Sequence, residues 1–364
     1  MRIKLEARPE PSRLMGWMSP IIAALATLIV GFALFSGLGK NPFEAFQVFF
    51  VKPVETLYGI GELLLKATPL TLCAVGLAAG YRANVWNIGA EGQLTLGAIC
   101  GGGIALAFPE ATSAWILPAM IVAGALGGMA WAAIPAWLRT RFNANEILVS
   151  LMLVYVAGLL LSLLVHGAWR DPEGFNFPQS KMFADVALLA NLLPETRLHV
   201  GFLIALAVVA AGWVFMSKSL AGFQMRVAGL APAAANYAGI SASRTVWSGM
   251  LIGGATAGLA GVCEVAGPIG QLLPSVSPGY GFAAIIVAFV GRLHPLGILL
   301  ASLLMSLLYL GGESAQMVLA LPSAVTGLFQ GSLLFFLLGA DVLINYRVRF
   351  IRAAPVRAAA PAPI

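Results

Sequence analysis

Polar groups able to do chemistry are scarce in this chain. The densest set is A-N-V-W-N-I-G-A-E-G-Q at 83–93, which carries Asn84, Asn87, Glu91 and Gln93 between two apolar runs. Each such group is costly at the centre of a bilayer and therefore faces a bundle interior or a polar cavity. Gly89 and Gly92 flank Glu91, which fits a bent or interrupted helix whose polar side chains line a path. The same residues also suit a cytoplasmic turn capped by Asn, with Glu near a helix start, and residue types alone leave both readings open. Glu264, followed by Gly267, Pro268 and Gln271, is either a second pathway group or a carboxylate reaching interfacial water. Asn143, Asn145 and Glu146 read as caps, and Glu62 and Lys66, four apart, as a helix ion pair.

Signatures of catalysis are missing. Gly39-Lys40 is followed by Asn41 and lacks the glycine spacing and the Ser or Thr of a phosphate-binding loop. His166, His199 and His294 show no metalloprotease spacing, and no G-x-S-x-G occurs. Cys73, Cys100 and Cys263 lie in apolar runs without paired spacing or a nearby His, which predicts core packing rather than a disulfide framework or a metal site. No metal and no cofactor is expected. With only Glu91 and Glu264 near membrane depth, no proton relay is visible, and the energy for any transport must come from outside the chain.

The elements that hold these groups follow from composition. Of 364 residues, 60% are hydrophobic and 10% charged, and mean hydropathy is +0.90. A soluble domain carries about 25% charged residues, so a water-soluble globule is excluded. A spanning helix takes about 20 apolar residues, and the chain has room for roughly ten. Apolar runs place them near 17–38, 63–81, 92–108, 114–138, 146–166, 199–216, 245–265, 280–291, 295–312 and 323–343. The first run is too long for a signal core of about 7–15 residues and reads as a retained span. The run 280–291 is short for a crossing; it either begins earlier in the Gly/Pro-rich stretch 267–281 or is a broken helix.

Charge asymmetry sets the orientation. With the N-terminus inside, 15 Lys and Arg fall on the cytoplasmic side, among them Arg82, Arg139, Arg141, Arg244, Arg292, Arg352 and Arg357. Only 6 fall outside, together with nine acids. The expected fold is therefore all-α: a single polytopic membrane domain over 1–364 with about ten transmembrane helices. Both termini are then cytoplasmic, as tails 1–16 and 344–364. The net charge of +6 is topological and does not point to nucleic acid.

Two connections are long. The external loop 167–198 holds Trp169, Phe175, Phe177 and Pro178, a mixture suited to a docking surface. In the cytoplasmic loop 217–244, Pro232 opens an alanine-rich helical turn or two that Gly239 can close. Small residues four apart (Gly97/Gly101, Gly124/Gly128, Gly249/Gly253, Gly254/Gly258) predict closely packed helices.

Four motifs in order, N-I-G-A-E-G-Q at 87–93, N-E-I-L-V-S-L-M-L-V-Y at 145–155, G-L-A-P-A-A-A-N-Y-A-G-I at 229–240 and G-Y-G-F-A-A-I-I-V-A-F-V-G-R-L-H-P-L-G at 279–297, carry a resemblance. The chain resembles the membrane permeases of bacterial ABC importers, in the branch of ribose-type and nucleoside-type permeases that work with basic-membrane-protein lipoproteins. The resemblance implies a multi-pass protein of the bacterial inner membrane, paired with a second permease, identical or related. It also implies a cytoplasmic ATPase subunit that binds the ATP, and an external substrate-binding lipoprotein. Residues 229–240 then match the coupling helix: Gly229, Pro232, Ala234 and Gly239 shape it, and Tyr237 and Ile240 are apolar contacts. Asn87, Glu91 and Gln93 are the candidates for the pathway. Family members usually read G-x-N-P and M-L-N-Y, where this chain has Ala231 and Val154. Sparse polar groups favour a planar nucleoside-like solute over a ribose-type sugar, which stays as an alternative, as does a stand-alone channel or facilitator. An intramembrane enzyme would need the paired catalytic residues that are absent.

Overall fold

A computed structural model describes residues 2–8, 10, 12–110 and 112–351. Arg352 and Arg357, with the rest of the expected cytoplasmic tail beyond 351, lie outside the described residues. The helices are α1 (Arg13–Gly37), α2 (Pro42–Phe46), α3 (Leu57–Arg82), α4 (Ala90–Ala107), α5 (Ile116–Phe142), α6 (Glu146–His166) and α7 (Gly201–Lys218). They continue as α8 (Leu220–Leu230), α9 (Pro232–Tyr237), α10 (Ala242–Glu264), α11 (Tyr280–Val290), α12 (Pro295–Leu319) and α13 (Ala324–Asn345). Two strands, β1 (Arg2–Ala7) and β2 (Tyr346–Ile351), pair antiparallel, with Arg2 opposite Ile351. The sequence reading placed cytoplasmic tails there without a strand, since pairing between distant ends leaves no local periodicity.

Ten of these helices match the ten expected spans. Among the described residues, eight are long and apolar enough to cross a membrane. The other two are α4, of 18 residues with Glu91 and Gln93 in its opening turns, and α11, of 11 residues. Two boundaries differ for one reason. Glu62 and Glu313 read as span ends in sequence, yet α3 starts at Leu57 and α12 runs to Leu319. Each carboxylate is held by a cation, Glu62 by Arg197 and Glu313 by Lys66, so the helices run through them. The expected Glu62–Lys66 pair is therefore replaced by two tertiary ones.

The chain divides into two compact units, residues 43–326 and a unit of the two ends, 1–42 with 327–364. In the end unit, Phe35 packs against Phe329 at 5.8 Å between ring centroids, and Ser19 hydrogen-bonds Asp341. In the larger unit α3 is the central helix, 83% of its span being buried, and α10 follows at 67%. The small residues act as expected. A Cβ on Gly97 or Gly128 would strike the α10 backbone at Gly258, and one on Gly258 would strike the carbonyl of Gly124. A Cβ on Gly249 would lie 3.1 Å from the Gly80 Cα, which brings α3 and α10 into backbone contact. This close approach substitutes for the hydrophobic drive that lipid removes.

Replacing Gly258 by Leu is expected to cost about 3 kcal/mol by overpacking three helices at once. Gly158→Leu, which has open space at its Cβ, is expected to leave stability unchanged. Thermal unfolding of the purified protein in detergent checks both.

Candidate functional site

The segment 83–89 is the key to the site. It leaves helical form after Arg82 and runs extended into the bundle before α4 begins. Asn87 lies beside Gly253, midway along α10, so the break falls deep in the helical layer. Backbone groups there need internal partners, and the side chains of the motif supply them. The Gly89 N–H donates to Asn87 Oδ1 at 2.9 Å, and the Ile88 N–H to Ser150 Oγ at 3.2 Å. Tyr81 Oη donates to the Asn87 carbonyl at 3.0 Å. Asn87 and Gln93 close a reciprocal pair, Nδ2 to Oε1 at 2.9 Å and Nε2 to Oδ1 at 3.0 Å, and both are buried at 2% and 1% exposure. Fully paired in this way, these two amides build the interruption.

Glu91 does something different. It sits in the first turn of α4, and its Oε2 accepts the Gly281 N–H at 2.6 Å, in the first turn of α11. Ser277 Oγ accepts the N–H groups of Gly279 and Tyr280 at 3.1 and 2.9 Å. The starts of two helices thus converge on one carboxylate, which both helix dipoles favour. Gly281 is needed because a Cβ there would strike the Glu91 backbone. From this junction α11 descends until Phe289 stacks on Tyr81 at 5.4 Å and on Trp86 at 6.0 Å. Helix α11 begins at Tyr280, after the turn 270–279, and not earlier within 267–281.

At the Glu264 end of α10 lies a cavity of about 180 Å³. A π-helical turn, Val265–Ile269, follows α10, and Pro268 within it explains the departure from α geometry. Glu62, Lys66, Arg197, Glu264 and Tyr280 line the cavity. Arg197 grips Glu62 through Nε at 2.8 Å and Nη2 at 2.5 Å, and this pairing pushes the guanidinium pKa up. Lys66 Nζ holds Glu313 at 2.9 Å. Glu264 was singled out in sequence; the cavity around it was not legible, because its other groups come from α3, α11 and the loop before α7.

The capping expectations stand as follows. Asn145 Oδ1 accepts the N–H groups of Ile147 and Leu148, at 2.9 and 3.4 Å. Asn143 takes the left-handed conformation (φ 53°) that ends α5, and Glu146 pairs with Arg139. The three cysteines are free, and among the described residues no group of three or more His, Cys, Asp or Glu is placed to hold a metal.

The loop between α7 and α10 folds as two helices where one was expected. Pro232 opens α9, and Gly239 (φ 77°) closes it while the Ile240 N–H bonds the Ala235 carbonyl at 2.9 Å. The additional helix, α8, is seated on the end of α3: a Cβ on Gly229 would strike the Arg82 carbonyl. Tyr237 is 97% exposed, and Leu230 and Phe223 are exposed beside it in sequence. Ala234 is exposed and Ala235 buried.

The described residues thus form a polytopic helical bundle with two interrupted helices and a structured loop helix. The family model described as "Branched-chain amino acid transport system / permease component" matches residues 59–338, and the chain belongs to that family. A glucose ABC transporter permease protein of Haloferax volcanii is 36% identical, over 96% of this chain and 94% of its own. A guanosine ABC transporter permease protein of Bacillus subtilis is 28% identical over 93% and 96%. A nucleoside ABC transporter permease protein of Lactococcus lactis is 28% identical over 87% and 89%. The chain is thus a multi-pass inner-membrane permease of the ABC importer class.

Glu91→Ala would leave the Gly281 amide unpaired and is expected to cost about 1–3 kcal/mol. Faster amide hydrogen exchange over 279–283 is the readout. A second expectation concerns His199, outside the spans, which is packed between Gly201 and Gly267 and accepts the Gly201 N–H at 3.1 Å. Burial lowers its pKa from 6.5 to about 4. The unfolded chain therefore binds the proton first. The stabilisation is full above pH 6.5 and is lost as pH falls toward 4, on the order of 3 kcal/mol in total. Melting temperature at pH 7 against pH 5 should fall for the native chain and be flatter in His199→Gln.

Proposed function

We propose that this chain forms one half of the membrane pathway of an ATP-driven importer for a nucleoside-like solute. It is non-catalytic: a cytoplasmic ATPase subunit binds and hydrolyses the ATP, a second permease completes the pore, and an external lipoprotein delivers the solute. The chain needs no cofactor of its own. Asn87, Glu91 and Gln93 border the pathway, the two amides holding the break and Glu91 joining its helices. The guanosine and nucleoside permeases among its relatives support that solute. The glucose permease at 36% identity supports a simple sugar as the second reading.

The observation that carries the coupling is the exposed helix α9, which directly follows α8 on its seat against α3. We assign 217–244 to the cytoplasm as the coupling loop and 167–198 to the outside, with both termini cytoplasmic. Gly229 seats α8 on the end of α3. Pro232, Ala234 and Gly239 shape α9, and Tyr237 with Ile240 presents the apolar contact to the ATPase. When the partner subunits close on ATP, they draw the coupling helices together, and the spans rock between two states. Only a difference in docking free energy between those states can drive the switch.

Tyr237→Asp is expected to leave folding and insertion intact, because the side chain is almost fully exposed, and to abolish stimulation of the partner ATPase in reconstituted vesicles. Undiminished stimulation removes the docking assignment. Uphill uptake by this chain alone would instead make it a carrier in its own right.

A further inference from the structure

We propose that the cavity at the Glu264 end of α10 is a subsite for the transported solute, holding a neutral ring that presents adjacent N–H or O–H donors. The proposal rests on the importer reading and names the chemistry it selects.

The charges decide what fits. Arg197 is engaged by Glu62, and Lys66 by Glu313, so both cations are already neutralised. Two groups on the cavity wall are left over. The Glu264 carboxylate makes no hydrogen bond among the described residues. Tyr280 is 3% exposed, yet its hydroxyl makes none either. Both residues line the cavity, so whatever fills it can pair with them. With both cations paired, nothing in the cavity draws an anion, while Glu264 and Tyr280 offer hydrogen-bond partners to a neutral donor. A neutral donor is the remaining match, since a carboxylate accepts two neighbouring N–H or O–H groups at once.

Shape agrees. Leu65, Pro268 and Ile269 supply apolar wall, and the Tyr280 ring supplies a flat one. The volume, about 180 Å³, is below the roughly 300–1,000 Å³ of sites for whole drug-sized ligands, so one ring enters. The rest of the solute lies toward half-exposed Arg197. Tyr280 is also the first residue of α11, so an occupied cavity touches the junction that Glu91 holds. The base edge of a nucleoside and the hydroxyl pair of a sugar share this chemistry.

Labelling of Ile269→Cys separates the two sources. The full chain in vesicles is treated from outside with a membrane-impermeant maleimide, and the parent with its three native thiols serves as the blank. Guanosine is expected to slow labelling by 1 + [L]/Kd, about threefold at twice the dissociation constant. Protection by glucose instead assigns the site to a sugar. Adding Glu264→Leu should abolish protection, and Tyr280→Phe, which keeps the ring, should weaken it. No labelling, no protection by either solute, or protection surviving Glu264→Leu overturns the proposal. The Tyr237 experiment reads ATP hydrolysis and does not involve Glu264, so the importer reading and this subsite fail separately.

Discussion

Backbone that leaves helical form inside an apolar layer must find every hydrogen bond within the protein, because no water is there to supply one. This chain leaves helical form at 83–89 and again at 270–279, where Ser180 and Phe183 pair with Leu272 and Gly270. Asn87 turns its amide onto Gly89 and Gln93, and Ser150 and Tyr81 reach in from neighbouring helices. Glu91 then serves the start of the second broken helix from the start of the first. The carboxyl group is accommodated there because two helix N-termini face it. Without that arrangement neither α4 nor α11 could begin where it does, and the turn 270–279 could not enter the bundle.

The same economy governs the charges near the Glu264 end. Glu62 and Glu313 would each end a span if left alone, and each instead binds a cation from another element. Lys66 therefore reaches α12 rather than its own helix neighbour. These pairs let α3 and α12 extend past their apparent boundaries and leave Glu264 as the carboxylate without a partner in the cavity. Rigidity elsewhere comes from glycine. Backbone contact at Gly97, Gly124, Gly128, Gly254 and Gly258 packs α4, α5 and α10 closely together.

Much of this was legible in residue order. Ten apolar runs fell on ten helices, Asn145 was readable as a cap, and Pro232 with Gly239 bracketed α9. Each of these signals is local: an apolar period, a cap residue, a turn residue. Helix α8 was missed because it is short, at 11 residues, and its seat is Arg82, far away in sequence. The β1–β2 pairing was missed because its partners stand at opposite ends of the chain.

What the sequence by itself determined is a membrane-embedded, many-helix protein; its transport role came from the resemblance to importer permeases, and residue types left Asn87–Gln93 open between a broken helix and a capped turn. Composition and short-range pattern suffice for the membrane-spanning helices, since the bilayer allows so few alternatives. Tertiary structure alone decided that Glu91 belongs to α11 as much as to α4, that Lys66 pairs with Glu313, and that Glu264 and Tyr280 share a cavity. Hydrogen bonds and ion pairs act over about 3 Å in space, whatever the distance along the chain, and only the packed helices bring residues 190 positions apart within that reach.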